Sequence, residues 1–167
     1  SLFNTADFDI AMNNSQGLTI YEGSVINAGT TVISPATLAT ITVNGLFKTS
    51  NPSGFSGSVT AAINSANSPA IVLGTASTVE YSAAGGGQSV TPLVYNNLTM
   101  SNTSGNQTLT GNVTVTKTLS LNAGTMSIGA NILTLNGPAI AGTPNSLSGN
   151  TTSSLVFGGS TLGITIP

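Results

Sequence analysis

Charge is what this chain lacks most. Only 4% of its 167 residues are Asp, Glu, Lys or Arg, against about a quarter in an ordinary domain. Arg, His, Cys and Trp are missing altogether, which leaves Lys48 and Lys117 as the basic side chains. Each absence removes a class of function. With two cations and a net charge of −2, no patch can neutralise phosphates, so nucleic acid is not an expected partner. A polybasic membrane anchor is excluded on the same ground. Without Cys there are no disulfides and no thiolate metal sites. Without His no Ser-His-Asp triad can form. Nor is there a run of about 18 apolar residues, so no transmembrane helix is expected.

The few acids are Asp7, Asp9, Glu22 and Glu80. Asp7 and Asp9 fall on one face of a strand, a spacing that suits a hydrolytic pair or a Ca²⁺ site. Asn4, Asn13 and Asn14 supply too few further oxygens for Ca²⁺, so a solvated edge is the expected reading. Polysaccharide-cleaving β-helices group acids, Ca²⁺ ligands and a base at mid-solenoid, and here the acids are scattered. The chain is therefore not expected to be an enzyme, and no catalytic residue, metal or cofactor is assigned. The triple glycine Gly85–Gly87 lacks a following Lys-Ser/Thr and reads as a turn, not a phosphate loop. Lys117, within VTVTKTLS, reads as an outward-facing side chain.

What remains is Thr, Ser, Asn, Gly and a 39% hydrophobic fraction, ample for a core. Apolar residues recur at every second position, and no long 3.6-residue period occurs. Expected strands are Phe8–Met12, Leu18–Tyr21, Ser24–Ile26, Thr30–Ile33, Ala39–Val43, Leu46–Lys48 and Gly57–Ile63. They continue with Ala70–Leu73, Thr78–Tyr81, Gln88–Val90, Leu93–Met100, Gln107–Thr110, Val113–Thr116 and Thr118–Leu121. Thr125–Ile128, Ile132–Leu135, Ser154–Phe157 and Gly163–Ile166 complete them. Asn and Gly between strands permit positive φ and sharp turns.

Asn-Gly pairs also suit antiparallel hairpins, and internal repetition decides between the two arrangements. LSLNAG (Leu119–Gly124) and ILTLNG (Ile132–Gly137) are near copies, and LTMSN (Leu98–Asn102) is a third variant. Laid end on end, Leu98 and Met100 match Leu119 and Leu121. Val113 and Val115 match Leu133 and Leu135, and Leu109 matches Met126 or Ile128. The offset of about 20 residues is one turn of a three-sided coil with short strands. A lone coil buries about six aliphatic side chains at roughly 1.5–3 kcal/mol each. Ordering its backbone costs about 1–2 kcal/mol per residue. Coils must therefore stack. The expectation is one all-β domain over 1–167, a right-handed parallel β-helix of seven or eight coils. Loop insertions are expected near 49–68 and 137–150, the first of them protruding.

Two surface features bear on binding. Thr99, Thr108, Thr110, Thr114, Thr116 and Thr118 alternate outward, and a flat rank of threonines can order water and bind ice. Their spacing is irregular from coil to coil, and Thr is also the best polar strand former. Asn-x-Ser/Thr triplets at Asn13, Asn97, Asn102, Asn106, Asn112 and Asn150 arise readily in such a composition and imply no glycosylation.

The run from Thr78 to Ile166 resembles the repeats of large secreted cell-surface adhesins of Bacteroidota. The segments that carry the resemblance are Ser77–Tyr81, Gly85–Val90, Tyr95–Ser101, Gln107–Val115, Thr118–Gly137 and Ser153–Gly163. They cover about half the chain. Nearer the N-terminus only Gly17–Val32 and Leu38–Gly45 are similar. The resemblance implies a parallel β-helix in an extracellular surface or filament protein, and it brings no catalytic residues. A chain starting at Ser1 and nearly free of Lys and Glu is likewise expected to be exported after loss of a signal peptide.

No polar cap is evident at either end, although solenoids ordinarily need one. The expected role is therefore a secreted structural subunit that stacks head to tail into a filament or adhesin stalk. Leu2, Phe3, Phe8 and Ile10 would form one half of the contact. Leu162, Ile164 and Ile166 would form the other. The alternatives are an adhesin module that binds surface glycans and an ice-binding solenoid.

Overall fold

A computed structural model describes residues 2–4, 9–13, 16–137, 139–142 and 147–159. These residues form a parallel β-solenoid of about seven coils, with no helix among them. Each coil visits three sides. Side 1 stacks β1 (Leu2–Asn4), β4 (Val25–Asn27), β7 (Leu46–Thr49), β9 (Thr78–Tyr81), β12 (Asn97–Leu109), β14 (Thr118–Ser127) and β16 (Ala139–Gly142). Side 2 begins with β2 (Ile10–Ala11) and β5 (Ile33–Ser34). It resumes with β10 (Gln88–Val90), the second halves of β12 and β14, and β17 (Leu147–Ser148). Side 3 has two ladders. The first is β3 (Leu18–Ile20), β6 (Thr40–Val43) and β8 (Ala70–Leu73). The second is β11 (Val94–Tyr95), β13 (Val113–Val115), β15 (Ile132–Leu135) and β18 (Ser154–Phe157).

Every pairing is parallel, and the registers are those of the repeat. Leu98 faces Leu119 and Met100 faces Leu121, while Val113 faces Leu133 and Val115 faces Leu135. Alternation sends one residue in two inward. On side 1 the inward column is Phe3, Ile26, Phe47, Val79, Leu98, Leu119 and Ile140. From Phe47 to Leu119 these side chains are completely buried. At the corners the backbones approach too closely for side chains. A Cβ on Gly137 would lie 1.6 Å from the Lys117 carbonyl oxygen, so only glycine fits there.

The corner between sides 1 and 2 is polar inside. Gln88 accepts from Ala83 N at 2.9 Å and donates to the carbonyls of Thr49 (3.1 Å) and Asn51 (3.2 Å). Asn102 donates to Gly86 O at 2.9 Å, and its oxygen accepts from Ser104 N (3.1 Å) and Gly105 N (2.9 Å). One coil on, the Gln107 amide donates to Thr125 O and accepts from Asn102 N, both at 3.0 Å. Where the backbone bends away from the ladder, these amides replace the lost partners. Among the described residues no buried side-chain polar atom is left unbonded. The buried Asn102 amide is committed to this corner and is no glycosylation acceptor.

The region 49–68, expected to contain a protruding loop, forms no strand after β7. Its stem is part of the core. Phe55 is fully buried and meets Phe47 edge-on, with ring centroids 4.9 Å apart. Gly57–Ile63 is not a strand, and only Ile63 bridges to Ile33. The chain makes two passes between β5 and β10 on side 2. The pass at 61–64 bonds to Ile33, and the pass at 52–56 bonds to Ser89 and Thr91. The two passes are tied by Ala62 N to Gly54 O and Ile63 N to Phe55 O. The tip around Val59 is exposed, as are Pro52 and the return at 66–68. Within the second expected insertion, 137–150, the described strands β16 and β17 both pair with β14. The expected strand Gly163–Ile166 lies outside the described residues.

Above the inserted wedge, Tyr81 and Tyr95 share a buried hydrogen bond of 3.0 Å between their hydroxyls. Tyr95 donates to Thr91 O at 2.7 Å, and Thr91 N donates to Tyr81 at 3.1 Å. Burial raises the pKa of both phenols, that of Tyr95 well above its usual range.

Candidate assembly surface at the open end

The first coil leaves its inward column uncovered. Phe3 continues the column that Ile26 and Phe47 bury, yet it is 55% exposed. A hollow of about 520 Å³ opens there, lined by Leu2, Phe3, Ile10, Leu18, Ile26 and Ile33 among others. The lining is almost wholly aliphatic and aromatic because, Leu2 apart, the named residues hold inward positions of two coils, and no described strand stacks on the first. Next to Ile10 in the chain, the Asp9 carboxylate accepts from Val32 N at 2.9 Å. That bond ties the first coil to the second.

At the other end, Leu155 and Phe157 extend the buried column of Leu133 and Leu135. They are 38% and 47% exposed. Among the described residues, β1, β2 and β3 each pair on one edge, as do β16, β17 and β18. Both ends thus present three parallel strands with a free edge and an apolar interior. The structure brings Leu2, Phe3 and Ile10 together around the hollow. Phe8, Leu162, Ile164 and Ile166 lie outside the described residues, as does Asp7. Sequence reasoning missed Leu155 and Phe157, although their alternation matches that of Leu133 and Leu135.

Other groups serve the scaffold. Lys48 and Glu80 are register partners on side 1 and form an ion pair at 3.1 Å. Lys117 Nζ donates to Thr75 O. No group of three or more His, Cys, Asp or Glu side chains that could hold a metal occurs among the described residues. A second hollow, of about 400 Å³, lies beside the wedge and includes Ser53, Ser56, Ser89 and Thr110. It offers hydroxyls but no ring on which a sugar could stack.

The threonines whose outward alternation was noted, with irregular spacing, fall on different sides. Thr99 and Thr118 are on side 1, Thr108 is on side 2, and Thr114 is on side 3. The Thr110 hydroxyl donates to Val90 O at 3.0 Å, and that of Thr116 bonds at the Asn96 corner. They make no common face.

No protein-family model, curated protein or solved structure matches the chain. No helix of the described residues is long and apolar enough to cross a membrane.

Proposed function

We propose that this protein is a structural unit of an extracellular filament or adhesin stalk, stacked end to end. The observation that carries this reading is the uncovered first coil, with Phe3 exposed over an apolar hollow. The contact we envisage repeats the one between neighbouring coils inside the chain. The last coil of one copy lies on the first coil of the next, with side 1 on side 1. Such a contact is heterologous and propagates. Phe3, Ile10 and Leu18 from one end and Leu155 and Phe157 from the other would be covered. With roughly half of each side chain still to be buried, at roughly 1.5–3 kcal/mol for a whole one, they give about 4–8 kcal/mol. Association itself costs about 4–15 kcal/mol, so assembly should depend on concentration. The near-absence of charge helps, since little repulsion guards the strand edges. The secreted location rests on the resemblance of the 78–166 run to surface adhesins.

Electron microscopy and sedimentation of the purified protein over a concentration series test the reading. Fibres with a coil-stacking axial repeat are expected, and Phe3→Asp should abolish them while leaving the monomer folded. A wild-type protein that stays monomeric at the highest concentrations, without fibres, would end the proposal.

A further inference from the structure

The first and last strands of side 3 carry open edges that complement one another. In a parallel ladder the backbone groups of one residue face one neighbouring coil, and those of the next residue face the other. Asn44 N donates to Ile20 O at 2.7 Å. Ile20 therefore faces the second coil, and Thr19 and Tyr21 face away from it. β3 pairs with β6 alone, so the Thr19 and Tyr21 amides stand on a free edge. At the other end Ser154 N donates to Asn131 O and Gly158 N to Leu135 O, both at 3.0 Å. Ser154, Val156 and Gly158 thus face β15. Leu155 and Phe157 turn their backbone groups to the opposite edge, which no described strand covers.

One bond recurs at the corner where side 3 ends. The residue after each strand gives its N–H to the last carbonyl of the strand one coil below. Asn44 bonds Ile20 in this way (2.7 Å), Gly74 bonds Val43 (2.8 Å), and Thr116 bonds Tyr95 (2.8 Å). Asn136 bonds Val115 (2.8 Å) and Gly158 bonds Leu135 (3.0 Å). The series leaves Tyr21 N over at its start and Phe157 O over at its end. The side chains of this corner follow a matching order. Gly74 and Gly158 each lie over an asparagine, and a Cβ on them would meet Asn44 Oδ1 at 1.9 Å and Asn136 Oδ1 at 2.3 Å. Over Gly74 comes a larger residue, Asn96, whose amide donates to Gly74 O at 2.8 Å. No described residue lies over Gly158, while Tyr21, at the start of the column, is 70% exposed.

From these edges we infer that the β3 edge is filled by β18 of a second copy of the chain, added as a parallel strand with Leu155 beside Leu18, Val156 beside Thr19 and Phe157 beside Ile20. The inference rests on end-to-end stacking and specifies the atoms of the joint. Tyr21 N donates to Phe157 O, Thr19 N to Leu155 O, and Phe157 N to Thr19 O. Continuity with the ladders inside the chain selects a second copy over an unrelated strand. A slip of one residue would turn Leu155 and Phe157 outward, away from the apolar hollow. A slip of two would take Gly158 from under Tyr21. The joint has one polarity, so every copy in a fibre points the same way.

The chain has no cysteine, so introduced thiols report the register directly. In the inferred joint Thr19 and Val156 point outward on neighbouring rungs, with Cα atoms about 4.8 Å apart, within disulfide reach. Thr19→Cys combined with Val156→Cys, assembled and then oxidised, should give a ladder of covalent multimers on a denaturing gel, and a reducing agent should dissolve it. Thr19→Cys combined with Ser154→Cys sets the Cα atoms about 8 Å apart, beyond that reach, and should give no ladder. Hydrogen exchange on the unaltered chain checks the backbone bonds. In fibres the Thr19 and Tyr21 amides should exchange as slowly as those of Thr42 and Asn44, and in the monomer they should exchange at once. Fibres that leave these two amides unprotected, or that cross-link as well through the Ser154 pair, would overturn this register and leave end-to-end stacking standing. A chain that forms no fibre overturns both.

Discussion

Phe55→Ala tests whether the segment after β7 is a loop or part of the core. Phe55 sits in a run of Ser, Gly and Pro, yet it is completely buried and packs edge-on against Phe47 at 4.9 Å. Truncating a buried Phe costs about 3–5 kcal/mol, of which about 0.5–1.5 kcal/mol belongs to the ring pair. A protruding loop would lose no more than about 0.5 kcal/mol. Val59→Ala, at the 56% exposed tip, serves as the control. Denaturant unfolding followed by circular dichroism reads the total. A double-mutant cycle with Phe47→Leu isolates the pair. Because solenoids unfold by segments, amide hydrogen exchange should quicken first at Ile33, Asn64 and Ser89, whose amides bond across the wedge or along its borders. A loss below about 1 kcal/mol, or exchange that quickens evenly along the chain, would refute the assignment of this segment to the core.

Gln88→Glu should make stability pH-dependent. The new oxygen faces the Thr49 and Asn51 carbonyls, and burial beside them raises the carboxyl pKa above its unfolded value of about 4.3. Stability should therefore be intact below that value and fall as pH rises through the folded pKa, which melting temperatures across pH will show. Tyr81 and Tyr95 have raised pKa values through burial, so the native state should hold their protons above pH 10. Its stability should then be full below pH 10 and decline as pH climbs further, with phenolate absorbance for these two appearing only as the fold melts. Gly137→Ala places a Cβ 1.6 Å from Lys117 O, and the backbone of a neighbouring coil must shift. A loss of about 1–3 kcal/mol is expected by denaturant titration. Lys48→Ala breaks a partly exposed pair and should cost no more than about 1 kcal/mol, diminishing with added salt.

The stacked fold was legible because its signal is redundant. Leu98, Met100, Leu119 and Leu121 repeat the same alternation one coil apart, and their register follows from alignment alone. The wedge was not legible, since Gly, Ser and Pro around Phe55 carry the composition of a surface turn. Only one aromatic ring marked it as core. The buried amides were hidden for a related reason. Gln88 and Gln107 stand in phase with Val90 and Leu109, but a polar residue in an apolar phase reads as an irregularity until its backbone partners are seen. The end surface was half legible: Leu2, Phe3 and Ile10 follow from apolar residues in strand rhythm in the first coil. Leu155 and Phe157 required knowing which coil is outermost among the described residues.

The double pass at 52–64 has a mechanical consequence. Among the described residues, the strand ladders of sides 2 and 3 both stop at this level, where single bonds such as Ser89 N to Pro52 O and Asn96 to Gly74 O span it, and the ladder of side 1 alone runs through it by β7 and β9. Below it lie three coils and above it four. A solenoid loaded in tension along its axis parts where the fewest backbone bonds span the gap. In this chain that place is the junction between β7 and β9, stiffened by the Phe47, Phe55 and Tyr81 rings. The molecule is thus two springs in series joined by a fuse, and the force it can carry is set at one level of the stack and not by its length.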